Sequence, residues 1–253
     1  MSHTAAPGAP WFAYTAPKPQ ARVTLFCLPY AGGSAAIYRT WVGAAPPALR
    51  VVPVELPGRG RRFAEPPFTD IAALVEPLAQ ALLPLAQQPF ALFGHSMGAL
   101  IGFELARRLQ RGAAPMPARL FVSGSPAPQL PPTRRDIHDL PEDEFEHELR
   151  QLNGTPEEVL ANAELMQLVA PLLRADFKLC ETYRCAGAPP LACPISAFSG
   201  ADDAEAGAEQ MRPWREHTAA EFTLRQLPGD HFFLNAARDR MIQAIVQDLG
   251  LAY

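Results

Sequence analysis

The fold of this chain is decided by one stretch, Pro89-Phe-Ala-Leu-Phe-Gly-His-Ser-Met-Gly-Ala-Leu-Ile-Gly-Phe-Glu104. Its first half, 90–93, is a short apolar run that predicts a buried strand. Its second half, from Met97, predicts a helix because apolar residues recur there at four-residue spacing. The pentapeptide Gly94-His-Ser-Met-Gly98 between them has the pattern G-x-S-x-G. Glycines on both sides would let the strand and the helix pass closely around Ser96.

The same pentapeptide predicts a nucleophile. A serine held on a strained turn presents its hydroxyl clear of the sheet, and the following helix offers free N–H groups and a partial positive charge to a developing oxyanion. The alternative is a tight strand-to-helix turn without chemistry. The flanking strand and helix favour the catalytic interpretation. His95 is expected to point away from the site, because successive residues of a strand face opposite sides.

Length and composition exclude several classes of protein. With 253 residues, of which 48% are apolar, the chain can bury a sizeable core and does not have the composition of a disordered protein. A net charge of −4 argues against nucleic acid as the main partner. The chain has neither an apolar run long enough for a bilayer nor the features of a secretory signal at its start. A soluble cytoplasmic protein without membrane contact is the expectation.

The four cysteines are not arranged as a redox or metal motif. Cys27, Cys180, Cys185 and Cys193 show no C-x-x-C spacing and no paired histidines. We therefore expect reduced thiols, no disulfide and no metal site.

Strands and helices alternate along most of the chain, which predicts an α/β fold. Residues 1–20 are rich in Pro and Ala and predict a loose N-terminal arm, with Trp11, Phe12 and Tyr14 able to pack on the body. Residues 21–253 are expected to form a single domain with a mostly parallel central sheet and helices on both faces. Strands are predicted at 22–28, 50–56, 90–93, 119–123, 194–200 and 222–227.

One segment, at about 130–188, interrupts this alternation. It contains no strand candidate, and helices are predicted at 141–152 and 155–173. A helical insertion between two sheet strands predicts a lid over the carboxyl edge of the sheet. Its residues Leu168, Leu172 and Phe177 are expected to face the substrate. The alternative is that such residues only hold the insertion together.

A serine nucleophile needs a base, and the base needs an orienting acid. On α/β-hydrolase folds the order along the chain is Ser, then an acid after a late strand, then His after the last strand. Ser96, Asp203 and His231 satisfy this order, and His231 is the histidine that follows the last predicted strand with a glycine nearby. Asp202 and Asp230 are the alternatives for the acid.

Two loops are candidates for binding roles. The glycine turn Pro29-Tyr-Ala-Gly-Gly-Ser34 could direct the amide of Ala31 into the site, although its spacing by itself favours an ordinary strand-to-helix turn. The loop Pro57-Gly-Arg-Gly-Arg-Arg62 carries three arginines, and Arg134 and Arg135 begin the insertion. Either cluster could contact an acidic or phosphate-bearing partner, or could simply be solvated.

Six motifs together give nearly the whole chain a resemblance to the type II thioesterases that accompany modular polyketide synthases and non-ribosomal peptide synthetases. The resemblance implies an α/β-hydrolase fold with a helical lid. It also implies hydrolysis of acyl thioesters from the phosphopantetheine arm of acyl or peptidyl carrier domains, which clears stalled or mis-primed chains. The motifs are Leu28-Pro-Tyr-Ala-Gly-Gly33, Glu55-Leu-Pro-Gly-Arg-Gly-Arg-Arg62, Pro66-Pro-Phe-Thr-Asp70, Phe93-Gly-His-Ser-Met-Gly-Ala99, Leu173-Arg-Ala-Asp-Phe177 and Gly229-Asp-His-Phe-Phe233.

For the site, the resemblance implies a role for each matching residue. Ser96 would be the nucleophile, His231 the base and Asp203 the acid, with the amides of Met97 and Ala31 as oxyanion donors. No cofactor is implied, because the phosphopantetheine belongs to the carrier domain. We expect a monomer that meets a carrier domain and binds no nucleic acid.

Two questions stay open at the level of sequence. Ala204 follows Asp203 where proline is common in the family, which leaves Asp202 as a competitor for the acid. The activity could also belong to another class on the same fold, since fold does not fix function. The alternatives are a general carboxylesterase or acyltransferase, and a binding protein that kept the fold without the chemistry.

Overall fold

A six-stranded parallel sheet forms the centre of the computed structural model, which describes residues 11–14, 16–86 and 88–252. The strand order is β2-β1-β3-β4-β5-β6, and each pairing of neighbours is parallel. The predicted α/β fold is therefore confirmed, and each strand lies within a few residues of its predicted place. The strands are β1 Val23–Leu28, β2 Leu49–Pro53, β3 Phe90–His95, β4 Leu120–Ser123, β5 Ile195–Gly200 and β6 Phe222–Leu227.

Helices cover both faces of this sheet. Every residue of the central strands β3, β4 and β5 is buried, as expected for strands that pack against helices on two sides. The α-helices are α1 Arg39–Ala44, α2 Ile71–Leu82, α3 Met97–Arg111, α4 Glu142–Leu152, α5 Glu157–Leu160, α6 Ala163–Glu181, α7 Ala208–Met211, α8 Phe233–Ala236 and α9 Arg238–Asp248. Among them, α2 and α3 share one apolar core with the sheet, and α1 and α9 share a second core on the opposite face.

The described part of the predicted N-terminal arm is bound to the body. Trp11 O accepts a hydrogen bond from Glu55 N at 2.8 Å, and Phe12 forms an antiparallel bridge with Val54. The indole of Trp11 is buried, with the Arg62 guanidinium carbon 4.0 Å from its ring centre. Positions 11–13 thus lie against the chain that follows β2 instead of being loose. Residues 1–10 of the predicted arm lie outside the described residues.

The insertion between β4 and β5 contains α4, α5 and α6, with no strand between residues 131 and 184. These helices enclose a small core of their own, and α6 continues to Glu181, beyond the predicted end at 173. The predicted end was wrong, because the helix does not stop at the polar residues Arg174, Asp176 and Lys178. The structure instead buries Asp176, and the apolar face continues through Leu179. No helix in the described part of the chain is long and apolar enough to span a membrane.

The turn from β3 into α3 crosses the end of β1 so closely that two positions have no room for a side chain. A Cβ on Gly94 would lie 2.0 Å from the carbonyl oxygen of Gly98. A Cβ on Gly98 would lie 2.3 Å from the carbonyl oxygen of Leu28, at the end of β1. These are backbone contacts that a rotamer change cannot relieve, so both positions require glycine.

We expect Gly98→Ala to lower the free energy of unfolding by at least about 3 kcal/mol, because the backbone of β1 or α3 would have to move. The matched control is Gly43→Ala, in α1, where a Cβ would meet nothing within 4 Å. That substitution should change stability by no more than about 1 kcal/mol, in the favourable direction. Urea denaturation of both variants measures the difference. A Gly98→Ala protein as stable as the wild type would contradict the account.

Candidate active site

Ser96 lies on the sharp turn between β3 and α3. Its backbone angles, φ 52° and ψ −117°, belong to a region that residues other than glycine rarely occupy. Ser96 N donates a hydrogen bond to Ser123 O at 2.8 Å, and Ser96 O accepts one from Ala99 N at 2.9 Å. The neighbouring strand and the first turn of α3 therefore hold the strained conformation in place. The side chain lines two adjoining cavities at the carboxyl edge of the sheet.

His231 lies in the loop after β6, and Asp203 lies in the loop after β5. The imidazole Nδ1 of His231 is 3.0 Å from Asp203 Oδ2. The other carboxylate oxygen, Oδ1, accepts hydrogen bonds from the amides of Glu205 and Ala206, each at 3.0 Å. Because these amides fix the carboxylate, it can in turn fix the orientation of the imidazole. The structure thus brings Ser96, Asp203 and His231 to the wall of one cavity.

The two competing aspartates do not contact the imidazole in this way. Asp202 is exposed, and its amide donates to Gly229 O at 3.0 Å. Asp230 is also exposed, and its carboxylate accepts a hydrogen bond from the amide of Phe232 at 2.9 Å. The geometry therefore favours Asp203 as the orienting acid.

Charge and hydrogen bonding keep Asp203 ionised. Burial alone would raise the pKa of this carboxyl. The hydrogen bond and charge of His231 and the amides of Ala206 and Glu205 act in the opposite direction, and they hold the pKa below its usual value. An ionised acid beside Nδ1 is the state that favours a proton on Nδ1 and leaves Nε2 free to act as the base.

Two cavities meet at Ser96. The smaller, of about 260 Å³, extends between the insertion and the acid and histidine loops, and its apolar wall includes Leu149, Leu152 and Leu173. The larger, of about 540 Å³, extends along residues 124–136. Six residues line both cavities and so mark their junction: Ala31, Ser96, Arg134, Phe177, Glu205 and His231.

The insertion presents a different face to the site than the sequence suggests. Phe177 lines both cavities as expected, but Leu168 is 53% exposed, and Leu172 packs near Gly58. The expectation for Leu168 and Leu172 is therefore wrong. Leu173 takes their place, because it lies one turn before Phe177 on the same face of α6.

Two of the arginines proposed as docking groups are internal. Arg59 is 4% exposed and forms two hydrogen bonds with the carboxylate of Asp176, and Arg62 is 1% exposed and forms two with Glu65. Neither side chain is available to a partner, so the docking hypothesis for them is wrong. Arg134 remains accessible at the junction of the cavities, where it pairs with Glu205 at 3.1 Å.

The two candidate oxyanion donors come from the start of α3 and from the loop after β1. Met97 occupies the first turn of α3, where amides have no acceptor within the helix. Ala31 follows β1 and lines both cavities. It belongs to a tight turn in which Gly33 N donates to Tyr30 O at 2.9 Å. The next amide, that of Gly32, donates to the side chain of Asp176 at 2.7 Å.

The sequence did not predict that His95 packs against His231. His95 points out of the cavities, as expected, but its ring packs behind His231 with ring centres 5.2 Å apart. Its Nδ1 is 2.9 Å from Ser123 Oγ, and the ring is fully buried. Burial, followed by the charge of His231, lowers the pKa of His95 to about 3. The ring is therefore neutral at physiological pH. In the sequence, the position of His95 next to Ser96 is the one sign that its ring could lie close to His231.

The arrangement is suited to acyl transfer through a covalent serine intermediate. A serine on a strained turn, a histidine oriented by a buried carboxylate and backbone amides beside the serine are the groups that this chemistry requires. In the described part of the chain, no group of three or more His, Cys, Asp or Glu residues is placed to hold a metal ion. The four cysteines are free thiols.

Comparison with known proteins points to the same chemistry. The Thioesterase domain family matches residues 23–249. The gramicidin S biosynthesis protein GrsT of Aneurinibacillus migulanus is 44% identical over 241 residues, covering 95% of this chain and 94% of GrsT. The RedJ thioesterase of the prodiginine pathway in Streptomyces coelicolor superposes with a TM-score of 0.85 at 41% identity, covering 96% of each chain. BorB, a type II thioesterase of the borrelidin cluster, superposes with a TM-score of 0.82 at 42% identity, covering 91% of this chain and 94% of BorB.

We expect Asp203→Asn to lower kcat by about 10⁴, because a neutral amide favours the wrong tautomer of His231. Asp202→Asn is the matched control in the adjacent position and should leave kcat within about twofold of the wild type. Steady-state kinetics on a thioester substrate measure both. The reverse result would assign the acid to Asp202.

Because His95 is buried and neutral, we expect the free energy of unfolding to decrease at acidic pH. An unfolded chain takes up a proton at histidine near the ordinary value of 6.5, whereas folded His95 does so only near 3. Between these values protons favour the unfolded state, so native stability falls as the pH decreases through 6.5.

Melting temperatures at about pH 7.5 and pH 5.5 test this effect. The decrease between the two should be larger for the wild type than for His95→Gln, which keeps a polar side chain that does not titrate. Equal decreases would show that burial of His95 does not contribute to acid sensitivity.

Proposed function

The chain belongs to the thioesterase family and is a thioester hydrolase of the type II class found in polyketide and non-ribosomal peptide pathways, and we propose that it acts on acyl groups carried by the phosphopantetheine arm of carrier domains. The observation that carries this proposal is the position of Ser96. It lies at the meeting of two cavities that also share His231, and His231 is held by Asp203.

The proposed reaction begins at the thioester carbonyl. His231 takes the hydroxyl proton of Ser96 while the serine oxygen attacks the carbonyl carbon. The carbon–sulfur bond then breaks, and the pantetheine sulfur leaves with the proton from His231. In the second half, His231 takes a proton from water as the water oxygen attacks the acyl-serine. The carboxylic acid is released and Ser96 regains its proton.

The surrounding groups stabilise the charges that develop in these steps. The amides of Met97 and Ala31 are the proposed donors to the carbonyl oxygen as it becomes negative. Asp203 stabilises the imidazolium that forms when His231 takes the serine proton. No metal or cofactor of its own enters the proposed reaction, because the pantetheine belongs to the substrate.

The two cavities suggest how such a substrate would lie. The smaller cavity, with its leucine side chains, suits an acyl chain, and Phe177 and Leu173 of α6 would contact that chain. The larger cavity includes Arg135, Asp136 and Arg184 in its wall, and these groups suit the amide-rich pantetheine arm. Because the two cavities meet at Ser96, the acyl chain would occupy one cavity and the pantetheine arm the other, with the thioester carbonyl at Ser96.

The wider role that we propose is editing, in which unproductive acyl groups are cleared from the carrier domains of a synthase. Its support is the similarity to proteins of antibiotic pathways, including a type II thioesterase. The same proposal includes an acyl or peptidyl carrier domain as the partner, a monomeric enzyme and a cytoplasmic location.

The test is a comparison of kcat/KM for three substrates with the same acyl group: a loaded carrier domain, acyl-pantetheine and an oxygen ester. We expect the carrier-bound thioester to be hydrolysed fastest. Ser96→Ala should lower turnover by roughly 10³ to 10⁶ while circular dichroism stays that of the folded protein. Preference for the oxygen ester would indicate a carboxylesterase, and transfer of the acyl group to an alcohol or amine instead of water would indicate an acyltransferase.

A further inference from the structure

A buried carboxylate of the lid connects it to the candidate oxyanion loop. Asp176, on α6, is 1% exposed. Its Oδ2 accepts hydrogen bonds from Gly32 N at 2.7 Å and from Arg59 Nη1 at 2.8 Å. Its Oδ1 accepts another from Arg59 Nη2 at 2.7 Å. Three donors thus hold one carboxylate in a single orientation.

Arg59 contacts the same loop directly. Its Nη1 also donates to the carbonyl oxygen of Gly33 at 3.0 Å. Leu173 of α6 covers the loop so closely that a Cβ on Gly32 would lie 2.6 Å from its Cδ2 atom. The turn after β1 is therefore enclosed by Asp176, Arg59 and Leu173.

Two hydrogen bonds, one within the turn and one to Asp176, fix the two peptide planes that flank Ala31. The amide of Ala31 shares a plane with the carbonyl of Tyr30, whose oxygen accepts from Gly33 N at 2.9 Å. The carbonyl of Ala31 shares the next plane with the amide of Gly32, which donates to Asp176. With both planes held, the Ala31 N–H has one direction.

We propose that Asp176 and Arg59 are positioning residues that hold the amide of Ala31 in place to bind the oxyanion. Through them, this donor depends on α6 being packed against the loop after β1. The inference rests on the proposed function. When α6 is packed against the loop, the carboxylate of Asp176 holds Gly32 and Arg59. When α6 moves away, the loop loses the acceptor that orders it.

The energetics of buried charge favour this interpretation over a purely stabilising role. Desolvation of two ions offsets much of their attraction, so apolar residues of similar volume are often as stabilising as a buried pair. What an apolar pair cannot provide is an acceptor for Gly32 N and a donor for Gly33 O. The Arg59–Asp176 pair provides both within the loop that carries Ala31.

The first test is Asp176→Asn, which preserves volume but removes the charge. We expect kcat for an acyl-pantetheine thioester to fall about 10- to 100-fold, with KM changed less than about threefold, because the loss affects the transition state more than substrate binding. The matched control is Asp248→Asn. Asp248 also forms two hydrogen bonds with an arginine, Arg225, but it joins α9 to β6 and lines neither cavity. This control should lower the melting temperature without changing kcat.

A binding measurement separates positioning from general damage. A trifluoromethyl ketone analogue of the substrate forms a serine adduct with a negative oxygen, whereas a thioether analogue has no carbonyl and reports only on cavity binding. In Asp176→Asn, affinity for the ketone should fall in parallel with kcat, and affinity for the thioether should stay the same. An unchanged kcat and ketone affinity in folded protein would overturn the proposal, as would an equal loss for both analogues.

A second variant covers the case in which a lone buried Arg59 prevents folding. The double substitution Arg59→Met, Asp176→Leu removes both charges together. We expect it to fold and to show the same losses in kcat and ketone affinity, whereas recovery of both would show that the pair serves stability alone. Failure of the proposed function is distinguishable, because wild-type protein would then not hydrolyse thioesters. If the wild type does so and the variants keep its kcat, only the positioning role fails.

Discussion

The site depends on one steric constraint, the close crossing of the β3–α3 turn over the end of β1. Glycine at 94 and 98 lets the backbones approach to distances that a Cβ would prevent. That approach holds Ser96 in its strained conformation and brings the first turn of α3 beside the loop after β1. Backbone packing thus places Ser96 and the amide of Met97 next to the end of β1, and the side chains of Asp176 and Arg59 then hold the loop that carries Ala31.

The order of the sheet then supplies the remaining groups. Because all strands are parallel, the loops after β1, β3, β5 and β6 emerge at one edge, and they carry Ala31, Ser96, Asp203 and His231 in turn. The insertion leaves the same edge after β4 and covers it. Its α6 contributes Phe177 to the cavities and Asp176 to the loop that contains Ala31. Lid and scaffold therefore meet at the atoms on which the proposed chemistry relies.

Features set by local patterns could be predicted from the sequence. Strand positions, the serine turn and the order of serine, acid and histidine follow from periodicity, glycines and spacing along the chain. Features set by distant contacts could not. The face that α6 turns toward the site depends in part on the contact of Asp176 with Gly32, a partner 144 positions away. The prediction that Leu168 and Leu172 face the substrate was wrong for this reason. The burial of Arg59 and Arg62 also depends on partners from other elements, Asp176 and Trp11. The packing of His95 against His231 likewise depends on a contact between residues far apart in the sequence.

In the proposed mechanism Ser96 carries the acyl group as a covalent intermediate. This mechanism is tested most directly by mixing the enzyme with an acyl-pantetheine thioester, quenching in acid within milliseconds and locating the added mass by peptide mass spectrometry. We expect one acyl group on the peptide that contains Ser96, formed as the free thiol appears and lost as carboxylic acid accumulates. Turnover with no acylated peptide at any quench time, or an acyl group on another residue that forms and decays at the rate of turnover, would contradict the mechanism.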